Sequence, residues 1–274
     1  MNMLLDLGMV VVVTAVCVAA MLLVRRRAPA GSYFTDGDRA SGVFGVLATG
    51  FSVLLGFIIF LSFEAYDDTR TGAETEAAVV AQMVQTAQLM PGQTSERLTG
   101  ELVCYGRSVV GSEWDAVAQG RFQDTVNPWG AKMFTTVAPL EPTTASEQSA
   151  YDRWLSQTAD RQEARNQRVH TAEGIIPAPL WIALYLICAV IFCYLLFFAD
   201  SAEPAATQAM LMGSVALMIT LLMLLLAFFD NPHSEGLGRL QPTAMERTLR
   251  LIDNQLEALA LTVTPPCDEQ GNAR

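Results

Sequence analysis

The chain has 274 residues, of which 51% are hydrophobic, and it carries 17 lysine and arginine residues against 28 aspartate and glutamate residues. The resulting net charge of -11 argues against nucleic-acid binding, which requires a basic surface. The hydrophobic residues are gathered in long blocks, a distribution that is typical of integral membrane proteins.

Four blocks are long enough to cross a lipid bilayer, whose hydrocarbon core takes about 20 consecutive apolar residues. They span residues 4–24, 42–63, 175–198 and 207–229. Basic residues at 25–27 follow the first block, whereas a signal peptide carries its charge in front, so we expect an uncleaved anchor. The sequence therefore predicts an all-α integral membrane protein with four transmembrane helices in two pairs and an extramembrane helical bundle inserted between the pairs.

The predicted domain boundaries follow from these blocks. Transmembrane helices 1 and 2 occupy residues 1–63, the bundle residues 64–174, transmembrane helices 3 and 4 residues 175–229, and an extramembrane tail residues 230–274. The stretch after residue 63 contains no proline before Pro91, so helix 2 is expected to continue into the bundle as one rod to about Met90.

Capping signals mark two further helices of the bundle. Asn127 followed by Pro128 has the residue types of a helix start, because the amide oxygen can cap the helix and proline fits its first position. Thr144 with Glu147 three residues later predicts a capping box for a long helix that ends near His170.

The tail is expected to form one amphipathic helix. Thr243 and Glu246 repeat the spacing of a capping box. Apolar residues then recur at helical spacing, at Met245, Leu249, Ile252, Leu256 and Leu259. This apolar face is expected to pack on the bundle of the same chain, the alternative being a neighbouring subunit.

The orientation in the cell membrane follows from the basic residues near the ends of the helices. Residues 25–27 together with Arg39 favour a cytoplasmic position for the short loop at 25–41. The bundle and the tail are then extracytoplasmic. Cys104 and Cys267 lie on one side of the membrane in either orientation, so a disulfide between them is possible, and two free thiols remain the alternative.

Small or hydroxylated residues recur through transmembrane helix 2 at intervals of three and four. They are Gly42, Gly45, Thr49, Ser52 and Gly56. In one interpretation this stripe allows close packing against transmembrane helix 1, 3 or 4. In the other, Gly45, Thr49, Ser52 and Gly56 line a pathway for ions, because an entirely apolar bore dewets and closes.

Acidic residues are expected to gather at the outer membrane boundary. The candidates for an acidic mouth are Glu64, Asp67, Asp68 and Asp230, with Asp6, Glu173 and Glu235 nearby. Rings of carboxylates concentrate cations, so a conducting form is expected to prefer them. The alternative is that these residues are only the polar ends of membrane helices.

Enzymatic chemistry has little support in the sequence. We find no nucleophile elbow, phosphate-binding loop or zinc-binding spacing, and we expect neither a metal site nor a cofactor. Glu113 and Asp115 flank Trp114, which is expected to anchor the bundle between two exposed carboxylates. We therefore do not expect an enzyme.

Four stretches carry a resemblance to a known family. They are LLGFIIFLSFEAYDD at 54–68, YGRSVVGSEW at 105–114, PAPLWIAL at 177–184 and FFDNP at 228–232. The chain resembles the bestrophin-like family of bacterial membrane proteins, a domain family of unknown function that is distantly similar to bestrophins, which are pentameric anion channels.

Two hypotheses of function follow. The first is a gated ion channel, formed by a homo-oligomer in the lipid bilayer, in which helix 2 lines the path of an inorganic ion. The second is a non-conducting membrane anchor or sensor whose external bundle binds a partner or ligand.

Overall fold

A computed structural model describes residues 3–121, 127–172, 174–234, 236 and 238–274. Within these ranges the chain is helical and contains no β-strand. The helices are α1 (Met3–Arg25), α2 (Gly37–Ala87), α3 (Gly92–Ser108), α4 (Trp114–Ala118), α5 (Pro128–Val137), α6 (Ala145–Val169), α7 (Ala178–Phe197), α8 (Ala205–Asp230) and α9 (Thr243–Ala258). A π-helical turn, Val109–Glu113, joins α3 to α4.

The predicted fold class is confirmed. Four described helices, α1, α2, α7 and α8, are long and apolar enough to span a membrane. The chain divides into two compact units, which we call the membrane unit (Met1–Glu64 and Gly174–Asp230) and the bundle unit (Ala65–Glu173 and Asn231–Arg274). Helix α2 contributes residues to both units, as the long stretch without proline predicts.

The core of the membrane unit lies between α2, α7 and α8. Large apolar side chains of α2, namely Phe51, Leu55 and Ile58, are buried there against residues that include Leu184 of α7 and Leu226 of α8. Their spacing of four and three places them on one face of the helix. This face fixes which side of α2 is turned towards the rest of the membrane unit.

The core of the bundle unit is built around large side chains from several helices. Trp129 of α5, Trp154 of α6 and Tyr105 of α3 are almost completely buried. Met245 and Ile252 of α9 belong to the same core, which confirms that the tail helix packs on its own bundle. Leu259, the last residue of the predicted apolar face, is instead exposed, because α9 ends at Ala258.

Two predicted helix starts are confirmed and one is wrong. The side chain of Asn127 accepts a hydrogen bond from the backbone N–H of Trp129 at the start of α5. Thr144 and Glu147 form the complete capping box of α6. Thr243 does not cap α9, because it is already the first helical residue and Pro242 holds the capping position without a side-chain bond.

Gly72 is a point of close contact between α2 and α6 in the bundle unit. A Cβ atom added at Gly72 would lie 2.7 Å from the backbone nitrogen of Arg168 and 3.0 Å from the carbonyl oxygen of Ala164. Backbone atoms cannot move aside without shifting the helix. The glycine in the middle of α2 is therefore explained by helix packing rather than by a break in the helix.

We expect Gly72→Ala to destabilise the protein by roughly 1–3 kcal/mol, the usual cost of over-packing. Gly50→Ala is the matched control, because a Cβ at this position of the same helix meets no atom within 4 Å. Thermal unfolding of the detergent-purified variants measures the difference. Equal midpoints for the two variants would contradict the close contact between α2 and α6.

Candidate functional site

The small-residue stripe of α2 lies on the surface of the chain. Gly45, Thr49, Ser52 and Gly56 are all exposed, and a Cβ atom added at Gly45 or Gly56 would meet nothing within 4 Å. The hydroxyl of Ser52 donates to the carbonyl oxygen of Ala48 at 2.8 Å, within its own helix. The stripe is thus accessible to lipid, to water or to another subunit.

The interpretation that the stripe packs against transmembrane helix 1, 3 or 4 of the same chain is therefore wrong. The face of α2 that meets α7 and α8 is the one that carries Phe51, Leu55 and Ile58. These large side chains bury more apolar surface than glycine, serine or threonine could. The packing that turns their side of the helix towards the core is therefore the more stable one.

The acidic residues of the predicted mouth fall into two groups. Glu64, Asp67 and Asp68 are exposed on α2, as the prediction requires. Asp230 is only 8% exposed. Asp6 lies in the first turn of α1 and is partly buried.

Asp230 instead holds the start of α7. Its carboxylate accepts hydrogen bonds from the backbone N–H groups of Ile175 at 2.8 Å and Ile176 at 2.7 Å, and from Nε1 of Trp181 at 3.2 Å. A carboxylate engaged in this way is not available to an ion, so its place in the predicted mouth is corrected. Glu173 and Glu235, the remaining candidates, lie outside the described residues.

A buried ionic network connects three segments of the bundle unit. The guanidinium of Arg168 on α6 donates to Glu76 of α2, with Nε 2.5 Å from Oε2, and to Glu113 of the π-helical turn, with Nη2 2.7 Å from Oε1. Arg165 donates to the same oxygen of Glu113 at 3.0 Å, and the Tyr105 hydroxyl donates to Glu76 at 2.5 Å. Buried charges are costly without such partners.

The π-helical turn explains why Glu113 is buried. Gly111 inside this turn has φ -97° and ψ -106°, which is not a helical conformation, and the helix direction changes there. The expectation that both carboxylates beside Trp114 are exposed is wrong for Glu113 and correct for Asp115. Such turns carry no reliable sequence signal, although Gly111 permits this conformation.

The network is not predicted from the sequence, although the sequence of α6 contains a pattern that indicates it. Arg161, Arg165 and Arg168 are spaced by four and three residues, so they share one face of the helix. A face of α6 that is lined with arginine and also carries the buried Trp154 is directed into the bundle rather than into water.

Electrostatics fix the charge states within the network. Burial alone raises the pKa of the Glu113 carboxyl, but Arg168 and Arg165 outweigh burial and hold this pKa below its usual value. Burial and the carboxylate of Glu76 raise the pKa of Tyr105 well above the usual value for tyrosine. Glu113 is therefore ionised, and the Tyr105 phenol is neutral and donates a hydrogen bond to Glu76.

His233 is buried beside the network without a hydrogen-bond partner among the described residues. Its ring packs edge-on against Trp114, with the ring centroids 5.3 Å apart. Both ring nitrogens are buried and unsatisfied by the residues that the structure describes. Burial, followed by the charge of Arg168 and that of His170, lowers the pKa of His233 to about 3.

A disulfide joins Cys104 of α3 to Cys267 near the end of the chain, with the Cα atoms 5.7 Å apart. Both residues are fully buried. The segment that follows Cys267 is held further by Trp129, whose Nε1 donates to the carbonyl oxygen of Gly271 at 2.6 Å. Of the two alternatives for these cysteines, the structure has the disulfide.

Within the described residues, no three histidine, cysteine, aspartate or glutamate side chains are grouped so as to hold a metal ion. The exposed residues that remain candidates are the stripe of α2 with Glu64 in the membrane unit and Asp67 and Asp68 in the bundle unit.

Comparisons with known proteins place the chain in a family. The model of the bestrophin-like domain matches residues 11–245. The chain belongs to the bestrophin-like family. No curated protein matches the sequence of this bestrophin-like protein at a significant level.

Solved structures with a similar fold agree with this assignment. A point variant of a bacterial bestrophin homologue from Klebsiella pneumoniae has a TM-score of 0.68 at 13% identity, over 91% of this chain and 98% of that chain. A second variant of that homologue has a TM-score of 0.68 at 13% identity, over 90% and 98%. A structure described as a membrane protein has a TM-score of 0.66 at 13% identity, over 90% and 97%.

We expect the buried His233 to make the stability of this bestrophin-like protein depend on pH. Its folded pKa of about 3 lies below the ordinary value of 6.5, so between these values the unfolded chain binds a proton that the folded chain does not. The contribution of His233 to the free energy of unfolding is present in full well above pH 6.5. It is lost on acidification between the two pKa values, by about 1.4 kcal/mol for each pH unit well below 6.5.

The measurement is the thermal unfolding midpoint between pH 7 and pH 5. His233→Gln is expected to reduce the slope, whereas His170→Gln, which changes an exposed histidine and removes only the smallest cause of the low pKa of His233, is expected to keep most of it. A slope that is unchanged in His233→Gln would show that this ring is not the group responsible.

Proposed function

We propose that this protein is a bestrophin-type ion channel, formed by a homo-oligomer, in which the exposed stripe of α2 faces the conduction pathway. The observation that carries the proposal is the exposure of Thr49, Ser52 and the neighbouring glycines on a membrane helix. Family membership and the fold of the bestrophin homologues support it.

The chemistry of the stripe suits a pathway. The hydroxyl groups of Thr49 and Ser52 can replace part of the hydration of a passing ion, and the absence of side chains at Gly45 and Gly56 leaves width for it. The core-facing side of the same helix supplies a rigid support, because Phe51, Leu55 and Ile58 are packed against α7 and α8. In this proposal the oligomer encloses the path between several copies of α2.

The proposed outer mouth consists of Glu64, Asp67 and Asp68. These carboxylates are exposed on α2, and each would be repeated around the axis of an oligomer. A ring of carboxylates attracts cations and repels anions, so the proposed channel prefers cations. Asp230 has no part in this mouth, because its oxygens bind the start of α7.

The bundle unit is proposed to lie outside the cytoplasm. The disulfide between Cys104 and Cys267 supports this orientation, since disulfides persist in oxidising compartments. The loop after α1 and the loop between α7 and α8 lie on one side of the membrane unit, where the guanidinium of Arg25 donates to the carbonyl oxygens of Ser201 and Glu203. The arginine-rich first loop supports a cytoplasmic position for this side.

The exposed stripe also supports a second candidate function, a non-conducting anchor or sensor. Small residues on the surface of a membrane helix allow a helix of another subunit to approach closely. In that case the stripe of one copy is buried against a second copy, and the extracytoplasmic bundle supplies the function.

Ion flux through proteoliposomes distinguishes the two candidates. We expect Thr49→Leu and Ser52→Leu to reduce flux by about tenfold or more, because an apolar constriction dewets. Val46→Leu is the matched control, since it is an exposed residue of the same helix beside the stripe. Wild-type flux through an assembled leucine variant would overturn the channel proposal, and loss of the oligomer in both stripe variants would favour the second candidate.

The same reconstituted protein reports the sign of the selectivity. Under a gradient of potassium chloride, the wild-type reversal potential is expected to lie towards that of potassium. The double variant Glu64→Gln with Asp67→Asn is expected to move it towards zero, because the attracting charges are removed. A reversal potential at the chloride value in the wild type would contradict an acidic mouth.

Labelling of engineered cysteines tests the orientation. Glu163→Cys lies on the exposed side of α6 in the bundle unit, and Ala30→Cys lies in the loop after α1. A membrane-impermeant maleimide is expected to label the first in intact cells and the second only after permeabilisation. The reverse pattern would place the bundle in the cytoplasm.

A further inference from the structure

A cavity of about 230 Å³ lies between α5 and α6 in the bundle unit. Its walls are mainly apolar and aromatic, and include Met133 and Val137 of α5 with Tyr151 and Trp154 of α6. Leu155, which is partly exposed, also lines it. Ligand sites typically combine apolar walls of this kind with a few placed polar groups.

Among the described residues that line the cavity, Arg161 is the charged one. Its side chain is only 4% exposed, yet Nε and Nη1 have no hydrogen-bond partner among the described residues. The guanidinium carbon lies 4.5 Å from the centroid of the Tyr105 ring. Gly130 leaves space beside the guanidinium, because a Cβ there would be 3.4 Å from Nη2 and 3.5 Å from Nη1.

This arrangement is not explained by the stability of the bundle. A buried cation is costly unless it is paired and hydrogen-bonded, and an aromatic ring compensates for only part of that cost. Arg168, two turns further along α6, is bound by two carboxylates. No described carboxylate lies within the 4 Å of a salt bridge to Arg161.

We propose that this cavity binds a small organic carboxylate, with its apolar body between α5 and α6 and its carboxylate on Arg161. The guanidinium favours this class of ligand, because its N–H groups match the oxygens of a carboxylate. The volume is below the range of about 300–1,000 Å³ that holds drug-sized ligands, so the apolar body is one ring or a short alkyl chain.

Calorimetric titration of the full-length protein in detergent tests the proposal with benzoate, and benzamide serves as the neutral probe of the same shape. Benzoate is expected to bind saturably with one molecule per chain, and benzamide about tenfold more weakly or worse, because it has no negative charge to form an ion pair with the guanidinium. No saturable binding of benzoate at millimolar concentration, or equal binding of the two probes, overturns the proposal.

Two sets of variants assign the binding to this cavity. Arg161→Met is expected to weaken benzoate binding by about tenfold or more, while Arg153→Met, which removes an exposed charge of the same helix, leaves it unchanged. Unchanged binding in a folded Arg161→Met protein overturns the assignment.

Leu155 provides a test that does not depend on folding of an Arg161 variant. It is partly exposed, so a charged residue there is tolerated. Leu155→Lys is expected to strengthen benzoate binding and Leu155→Glu to weaken it, by a few-fold in each direction, because the charge stands at the lining of the cavity. The opposite order, or no difference between the two, overturns the proposal.

Discussion

The bundle unit depends on the position of Arg168 between Glu76 and Glu113. The guanidinium of Arg168 belongs to α6, and it binds one carboxylate from α2 and one from the π-helical turn. Taking these charges out of water is expensive, so the network is tolerated only when all members are in place. It therefore selects one arrangement of the three segments, and the contact between Gly72 and the backbone of α6 allows the helices to approach closely enough to form it.

The two faces of α2 in the membrane unit differ in what surrounds them. Phe51, Leu55 and Ile58 bury apolar surface against α7 and α8, which fixes the rotation of the helix. The small and hydroxylated residues then lie on the exposed side. The stripe makes no packing contact within the described part of the chain, and both proposed functions place it against something outside the chain, an ion pathway in one and another subunit in the other.

Much of this fold follows from local patterns. Apolar length predicts the membrane helices, and the caps at Asn127 and Thr144 form between residues that are close in sequence. The candidate site is harder to predict from the sequence. The two interpretations of the stripe differ only in which residues of α2 meet α7 and α8, and periodicity alone does not rank Phe51 above Ser52 for that contact.

The positions that the sequence missed depend on contacts between distant segments. Asp230 is acidic and lies at a helix end, as a mouth residue would, but its partners at Ile175 and Ile176 are 55 and 54 residues away. Glu113 is directed inwards by a change of helix direction at Gly111. Neither fact has a counterpart in spacing or composition.

The two buried arginines of α6 separate a structural role from a binding role. Arg161 and Arg168 are seven residues apart, which places them on the same face of one helix, and both are almost fully buried. Arg168 is neutralised by two carboxylates of its own chain, whereas Arg161 rests on the Tyr105 ring and lines an apolar cavity. If stability alone placed charges in this core, both would carry carboxylate partners. An anionic ligand bound in the cavity would supply the carboxylate partner that Arg161 lacks among the described residues of its own chain.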